Sequence, residues 1–177
     1  MTRTEIRIGG LGGQGVVLAG QILGRAAVYD GKNVVQTQSY GAEARGSAAK
    51  SEVIVSDEKI GFPIVRKCDV LVAMNQTALD KNKKDLKQNG IVVVEEDMVE
   101  VASDVEARVF KVPATRTAET EFKSKMYANV VMLGAITKIT GLVSNNAVEK
   151  AIADSLPKET LKNNINAFRL GYQIVKQ

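Results

Sequence analysis

The run Gly10-Leu11-Gly12-Gly13-Gln14-Gly15 has the spacing G-x-G-x-x-G, and the elements on either side of it indicate the fold class. The apolar residues before it predict a short strand over 4–9, and those after it predict a helix over 15–30 that Gly31 ends. Glycines permit a tight turn, and the free N–H groups of a helix N-terminus attract an anion. The candidates for a phosphate-binding turn are therefore Gly10, Gly12, Gly13, Gln14 and Gly15.

A dinucleotide site needs one more residue, an Asp or Glu near the end of the second strand that binds the ribose hydroxyls. Val35, Gln36, Thr37 and Gln38 occupy that place, and none of them is acidic. The sequence therefore argues against a nicotinamide or flavin dinucleotide. Two interpretations of the turn stay open: a site for some phosphate-bearing group, or a structural turn that lets the helix pack on the sheet.

Strands and helices alternate over about the first 113 residues, which predicts an α/β fold with a Rossmann-like, open, mostly parallel sheet flanked by helices. Further strands are predicted over 34–38, 51–56, 70–74, 91–94 and 109–112. Asn75 caps a helix predicted to run to residue 88, and Gly90 stops it. Residues 114–177 predict helices alone, over 125–140, 144–156 and 158–176. We expect a single domain over residues 1–177, with a sheet core and a C-terminal helical extension.

Gly20, Gly24 and Ala27 share one face of the first predicted helix. A stripe of small residues lets another backbone approach closely, at a cost of about 1 kcal/mol for each glycine relative to alanine. We expect this face to pack on the chain's own sheet, with a subunit contact as the alternative.

A polar loop over residues 39–47 follows the second predicted strand. In open parallel sheets, ligands and partners meet the carboxyl ends of the strands, where this loop begins. An arginine between small residues can present its guanidinium to a carboxylate or phosphate, and a tyrosine can stack or hydrogen bond. The loop candidates are Tyr40, Gly41, Glu43, Arg45 and Gly46.

The composition excludes several kinds of chemistry. The chain has no histidine and a single cysteine, Cys68, so it cannot build a Cys-His or Ser-His-Asp nucleophile, an internal disulfide or a cysteine-held iron–sulfur cluster. We therefore expect no catalytic residue and no metal site in this chain. Its net charge is +4 and its basic residues are scattered, which does not favour nucleic acid. The absence of a signal peptide and of a run of about 18 apolar residues predicts a cytoplasmic protein without a membrane segment.

Several motifs together resemble the gamma subunit of 2-oxoacid:ferredoxin oxidoreductases. They are the glycine turn with Val16, the loop Tyr40-Gly41-Ala42-Glu43-Ala44-Arg45-Gly46, Ser56-Asp57 with Pro63, and Asn129, Leu133-Gly134-Ala135, Asn164, Ala167-Phe168 and Gly171 in the tail. The resemblance spans residues 6–171, and its order and spacing are specific. One departure is Ser47, which stands where the family has a second glycine and restricts the backbone there.

The resemblance implies a multi-subunit enzyme that oxidatively decarboxylates a 2-oxoacid, with 2-oxoglutarate favoured, and transfers the acyl group to coenzyme A. Thiamine diphosphate, Mg²⁺ and iron–sulfur clusters would belong to other subunits, and this chain alone would hold no cofactor. The implied partners are alpha and beta subunits, a ferredoxin-like delta subunit, and ferredoxin through the complex. The implied role of this chain is to complete the assembly and to line the coenzyme A side of a shared cleft with Tyr40 and Arg45.

Other interpretations remain open at this point. The chain resembles the short subunit of an indolepyruvate-type oxidoreductase next best, and the glycine turn alone would also suit a free-standing nucleotide- or phosphate-binding module. A purely structural subunit is a further alternative. The lysines at 81, 83, 84 and 87 alternate with acidic residues on one predicted helix, which indicates a solvated face rather than a nucleic-acid site. Thr115-Arg116-Thr117, just after the last strand, would meet a ligand or simply connect strand to helix.

Overall fold

The computed structural model describes residues 2–42, 46–101 and 105–176. The strands are β1 (Arg3–Leu11), β2 (Asn33–Tyr40), β3 (Ala48–Ser56), β4 (Cys68–Ala73), β5 (Leu86–Glu95) and β6 (Arg108–Val112). The helices are α1 (Val16–Tyr29), α2 (Gln76–Asn82), α3 (Ala114–Phe122), α4 (Ala128–Thr140), α5 (Asn145–Ser155) and α6 (Lys158–Ile174). Two short 3₁₀ turns, Lys83–Asp85 and Lys125–Tyr127, precede β5 and α4.

The six strands form one sheet in the order β2-β3-β1-β4-β5-β6. The predicted α/β fold with an open sheet is confirmed, but the sheet is mixed. β1, β4, β5 and β6 pair in parallel, whereas β3 runs antiparallel to both β1 and β2. The cause is the short connection over 41–47, since a loop of that length joins only antiparallel neighbours and a parallel crossover needs a dozen residues or more.

The helices change sides of the sheet between β1 and β4. The connection from β1 to β2 passes through α1, which packs with α4 and α5 over one face of the sheet. The connection from β4 to β5 passes through α2, which covers the other face. The carboxyl ends of β1 and β4 are therefore the topological switch point, where an open α/β sheet has its crevice.

Two apolar clusters hold the sheet between these layers. Ile6 and Ile8 of β1 point into the larger cluster under α1 and the C-terminal helices, and Leu71 of β4 points into the smaller cluster under α2. Val70 and Val72 belong to the larger cluster, so β4 is buried on both faces, as its uninterrupted apolar run predicts.

Arg7 lies between Ile6 and Ile8 in sequence, and its side chain therefore points to the opposite face, where it is only 3% exposed. Its guanidinium donates to Glu52 of β3 at 2.7 Å, to Asp85 of the 3₁₀ turn at 2.7 Å and to the Val65 carbonyl at 3.0 Å. A buried charge is tolerated when it is paired and hydrogen bonded in this way. Arg7 thereby joins β1, β3 and the segment that enters β5.

Small residues allow the closest approaches between elements. A Cβ on Gly20 would overlap the Ser51 side chain, and one on Gly24 would contact Val34 of β2 at 3.4 Å. The small stripe of α1 therefore packs on the chain's own sheet, as expected. Gly134 of α4 and Gly171 of α6 face each other's helix so closely that a Cβ on either would overlap a backbone carbonyl.

Two parts of the predicted secondary structure are wrong. The helix predicted to run from Asn75 to residue 88 ends at Asn82, and Gly90 lies inside β5 instead of stopping a helix. β5 pairs Leu86 with Cys68 and then shifts register, and Asn89 takes a φ of +59° in the extra residues. The local charge pattern favours a helix here, but pairing with β4 imposes a bulged strand.

The second error is the omission of α3, because its apolar residues Ala114, Ala118 and Phe122 recur at helical spacing but are few in an otherwise polar segment. By contrast, the predicted C-terminal helix is confirmed as α6, and Ser144 caps α5 by accepting from Ala147 N at 3.2 Å.

Replacement of Gly171 by alanine should destabilise the chain, because the new methyl group would overlap the Val131 carbonyl of α4. Overpacking of this kind costs about 1–3 kcal/mol. Gly24→Ala is the matched control, since its methyl group meets only ordinary contacts and alanine favours a helix by about 1 kcal/mol. Urea unfolding followed by circular dichroism should give opposite shifts in the free energy of unfolding. Equal stabilities for the two variants would contradict the close α4–α6 packing.

Cys68 should be unreactive in the folded chain. Its side chain is fully buried at the start of β4, and burial raises the pKa of its thiol to about 11. At pH 8 only about one thiol in a thousand would be ionised, and the thiolate is the reactive form. Mass spectrometry should therefore find no alkylation by iodoacetamide in buffer and complete alkylation in guanidinium. Rapid modification of the folded chain would show that the amino end of β4 opens.

Candidate functional site

The predicted glycine turn and the predicted polar loop lie side by side at the carboxyl edge of the sheet. β2 and β1 both end at this edge, and β3 begins there. Gly12 N donates to the Ser47 carbonyl at 2.8 Å, and Gly41 N donates to the Ala48 carbonyl at 2.7 Å. Backbone hydrogen bonds therefore fix the turn to the C-terminal end of the loop and hold the two ends of the loop together.

The side chain of Gln14 fills the switch point between β1 and β4. Its Oε1 accepts from Leu11 N at 2.8 Å and from Asn75 Nδ2 at 3.2 Å, and its Nε2 donates to the Met74 carbonyl at 3.1 Å. Asn75 also caps α2, because its Oδ1 accepts from Ala78 N at 2.8 Å. An amide side chain of the protein thus stands in the crevice where Rossmann folds place a pyrophosphate.

The glycines of the turn differ in the structural reason, if any, for which glycine is needed at each position. A Cβ on Gly10 would lie 2.7 Å from Gln14 Oε1 and 2.8 Å from Val16 Cγ1, so this position has no room for a side chain. Gly13 has space around it but a φ of +91°, which other residues rarely adopt. Gly12 has neither constraint, since only Ser47 comes near, at 3.7 Å.

Asn129 of α4 also belongs to this region, although the spacing of the glycine turn does not point to it. It is buried, its Nδ2 donates to the Gly15 carbonyl at 3.2 Å, and a Cβ on Gly15 would overlap its side chain. Its Oδ1 has no hydrogen-bond partner among the described residues. Its signal in the sequence is an amide directly before the apolar run 130–136, and it is one of the residues that carry the resemblance to the family.

Two clefts flank Tyr40, which is 61% exposed and lines both. The cleft on the α1 side has a volume of about 400 Å³ and includes Gly12, Gly13 and Val16 at the start of α1. No side chain caps α1, and its first residues, Val16, Val17 and Leu18, line this cleft. The cleft on the α2 side measures about 290 Å³ and includes Lys50 and Lys81.

Glu43 and Arg45 lie outside the described residues, so the structure says nothing of these two candidates. The ends of their loop are described. Gly46 has a φ of +64°, whereas Ser47 is not among the described residues with positive φ. The side chain of Ser47 therefore causes no backbone strain where the family has a glycine.

Exposed apolar side chains surround the glycine turn. Leu11 is 37% exposed and Met98 41%, and Met98 Sδ lies 3.9 Å from Gln14 Nε2. Met126 is 65% exposed and precedes Asn129 by about one helical turn. Together with Tyr40, these side chains give the carboxyl edge the apolar character of a protein contact surface.

The Thr115-Arg116-Thr117 segment belongs to the start of α3. The backbone N–H and the hydroxyl of Thr115 both donate to Glu95 Oε2 at 2.9 Å, while Arg116 pairs with Glu96 at 2.6 Å. Glu95 is fully buried, and this burial raises the pKa of its carboxyl group. Its hydrogen bonds cap α3, so Thr115 has a structural role in the chain.

Neither a metal centre nor a membrane helix is found in the described part of the chain. Within 2–42, 46–101 and 105–176, no three His, Cys, Asp or Glu residues gather as metal ligands. In the same ranges no helix is long and apolar enough to cross a bilayer.

Comparison with known proteins identifies the family. The model of the pyruvate ferredoxin/flavodoxin oxidoreductase family matches residues 5–174. The 2-oxoglutarate synthase subunit KorC of Methanocaldococcus jannaschii is 53% identical over 178 residues, which cover 99% of this chain and 95% of that protein.

Solved structures agree. The gamma subunit of a keto/oxoacid ferredoxin oxidoreductase from Geobacter sulfurreducens PCA is 42% identical with a TM-score of 0.85, covering 96% of both chains. A 2-oxoglutarate:ferredoxin oxidoreductase from Magnetococcus marinus, with 2-oxoglutarate, coenzyme A and succinyl-CoA bound, gives a TM-score of 0.88 at 26% identity. The match covers 98% of this chain and 31% of that one. This chain therefore belongs to the pyruvate ferredoxin/flavodoxin oxidoreductase family, and its fold is that of the family's gamma subunits.

Proposed function

We propose that this chain is the gamma subunit of a 2-oxoglutarate:ferredoxin oxidoreductase. The enzyme would convert 2-oxoglutarate, coenzyme A and oxidised ferredoxin into succinyl-CoA, carbon dioxide and reduced ferredoxin. The observation that carries the proposal is the 53% identity, over nearly the full length of both chains, with a 2-oxoglutarate synthase subunit. That relative also favours 2-oxoglutarate over the indolepyruvate-type alternative.

In this proposal the chain takes part in the complex without binding the redox cofactors itself. It has no histidine, and its one cysteine is buried with a raised thiol pKa. Its described residues offer no set of ligands for Mg²⁺ or for a cluster. Thiamine diphosphate, Mg²⁺ and the iron–sulfur clusters would therefore be held by alpha, beta and ferredoxin-like delta subunits, and ferredoxin would bind to the complex they form.

The carboxyl edge is the part of the chain that we assign to the shared cleft. Coenzyme A carries several phosphate charges and an adenine ring. Lys50 and Lys81 in one cleft and the uncapped N-terminus of α1 in the other suit phosphate groups, and the exposed ring of Tyr40 between them suits a flat base. Arg45, five residues beyond Tyr40, would add a guanidinium to the same surface.

The free-standing nucleotide-binding module is the weaker interpretation. Gln14 occupies the switch point with three hydrogen bonds, and a dinucleotide there would have to displace them. The exposed apolar side chains around the turn also suit a surface that other subunits cover. The cytoplasm is the compartment we propose for the complex, because 2-oxoglutarate and coenzyme A are metabolites of the cell interior.

The pure chain should show no 2-oxoglutarate- and coenzyme A-dependent reduction of methyl viologen, because it lacks the residues for this chemistry. The complex isolated without air through a tag on this chain should show that reduction, and mass spectrometry should find a thiamine-dependent subunit and a cysteine-rich subunit. Pyruvate and 2-ketoisovalerate serve as substrate controls and should react more slowly. Viologen reduction by the pure chain, or isolation of the chain without partners, would refute the proposal.

Tyr40→Ala in the assembled complex should raise the KM for coenzyme A and leave the KM for 2-oxoglutarate unchanged. Loss of an aromatic contact worth about 0.5–1.5 kcal/mol corresponds to an increase of about twofold to tenfold. Arg45→Ala should act in the same direction, through the loss of a phosphate contact. Tyr29→Ala is the matched control, since Tyr29 is partly exposed at the other end of α1. An unchanged KM for coenzyme A in both loop variants would remove this edge from the cleft.

A further inference from the structure

Four lysines surround a single depression of about 480 Å³ at the amino edge of the sheet. Lys67 immediately precedes β4, Lys83 and Lys84 lie in the 3₁₀ turn before β5, and Lys87 is in the first residues of β5. Glu106 is the acidic residue that lines the same depression. Lysine is therefore the main charged residue of this amino-edge basin, although its lysines come from separate segments.

The basin keeps uncompensated charge. Lys87 is paired within the chain, with Asp69 at 2.9 Å and Glu5 at 3.1 Å. Lys67 and Lys84 are both exposed and form no ion pair with the described residues. Two ammonium groups at the rim of the basin are thus available to carboxylates from outside the chain.

An apolar pair adjoins the basin. Phe62 is 46% exposed and Ile64 55%, and both line a second depression of about 470 Å³ with Arg3 and Arg66. The Arg66 guanidinium lies 5.2 Å from the centre of the Phe62 ring.

Glu5 connects the two depressions, because it accepts a hydrogen bond from Arg3 at 2.7 Å and pairs with Lys87 at 3.1 Å. Apolar and cationic surface is therefore continuous along the amino edge.

We propose that this amino-edge face docks an acidic segment of another protein chain. Carboxylates of that segment would pair with Lys67 and Lys84, and an apolar side chain would cover Phe62 and Ile64. Aromatic and arginine side chains beside an apolar centre are characteristic of protein interfaces, and opposite charges accelerate and orient docking. A single-stranded nucleic acid would need exposed aromatic faces for its bases, whereas the Phe62 ring is covered by Arg66 on one side.

The position of the face keeps this contact away from Tyr40 and the glycine turn, although Lys81, which lines one of the clefts beside Tyr40, is three residues from Lys84. β1 separates the two edges with nine residues, which is about 30 Å of extended strand. A partner on the amino edge would therefore leave Tyr40 and the glycine turn accessible to other subunits. This inference goes beyond the function proposed above, which uses the carboxyl edge.

The test is a double charge reversal, Lys67→Glu with Lys84→Glu, in the tagged full-length chain purified from its native cells. The matched control reverses Lys158 and Lys162 to Glu, two exposed lysines of α6 on the other side of the molecule. Each chain that copurifies is quantified at low and at moderate salt. A zero-length carbodiimide cross-linker, which joins amines to carboxylates in contact, is applied to the unaltered preparation and its products are mapped by mass spectrometry.

We expect the Lys67/Lys84 variant to lose one copurifying chain by about tenfold, since like charges placed together at an interface cost several kcal/mol. The same chain should be cross-linked through its Asp or Glu residues to Lys67 or Lys84, and the control should retain it. If both variants retain every copurifying chain equally, or if Lys67 and Lys84 are not cross-linked to another chain, this proposal is overturned. The proposed function still stands in that case, provided that the thiamine-dependent complex is recovered. Recovery of the chain alone would overturn both proposals. Binding of a labelled 20-residue oligothymidylate that the double reversal abolishes, without such cross-links, would assign the face to nucleic acid and overturn the protein partner.

Discussion

The carboxamide of Gln14 is the interaction on which the carboxyl edge depends. It joins the turn after β1 to the end of β4 through Leu11, Met74 and Asn75. These contacts lie at the topological switch point, where α1 leaves for one face of the sheet and α2 for the other. Without the carboxamide, the Leu11 N–H and the Met74 carbonyl at the switch point would need water or a ligand as partners. Because the amide closes this crevice, the space for other molecules shifts to the two clefts on either side of Tyr40.

A second constraint lies on the face of the sheet that α2 covers. The buried guanidinium of Arg7 holds β1, β3 and the segment before β5 together through Glu52, Asp85 and the Val65 carbonyl. Loss of one partner would leave a buried charge unpaired, which typically costs about 3–5 kcal/mol. Asp85 of this network is next to Lys84 of the amino edge in sequence. The buried charge of Arg7 is therefore paired there, whereas the exposed charges of Lys67 and Lys84 are available to a partner. The two edges of one sheet thus differ: the carboxyl edge has exposed apolar side chains around the uncapped start of α1, and the amino edge has exposed lysines.

Much of this arrangement was predictable from local sequence. The glycine spacing and the apolar runs placed β1, α1 and β4 correctly, and the spacing of apolar residues in the tail predicted α6. The candidate residues of the turn and Tyr40 do lie at one edge. The helix predicted from Asn75 to residue 88 is confirmed as far as Asn82, but its part over 83–88 is wrong because Leu86 pairs with Cys68 in the sheet, a contact between residues 18 apart. The lysines of that segment consequently gather around a depression with Lys67, where a solvated helix face had been expected.

The class of the fold, the family, and the absence of histidine and of cysteine pairs follow from the amino-acid sequence, because they depend on composition, local spacing and order along the chain. Four features became visible in the folded chain alone: β3 is antiparallel, Gln14 fills the switch point, Asn129 packs against Gly15, and Lys67 and Lys84 line one depression. The physical reason is that each of these depends on side chains or strands brought together from distant parts of the chain. Their contact energies depend on burial and geometry, which no local pattern contains.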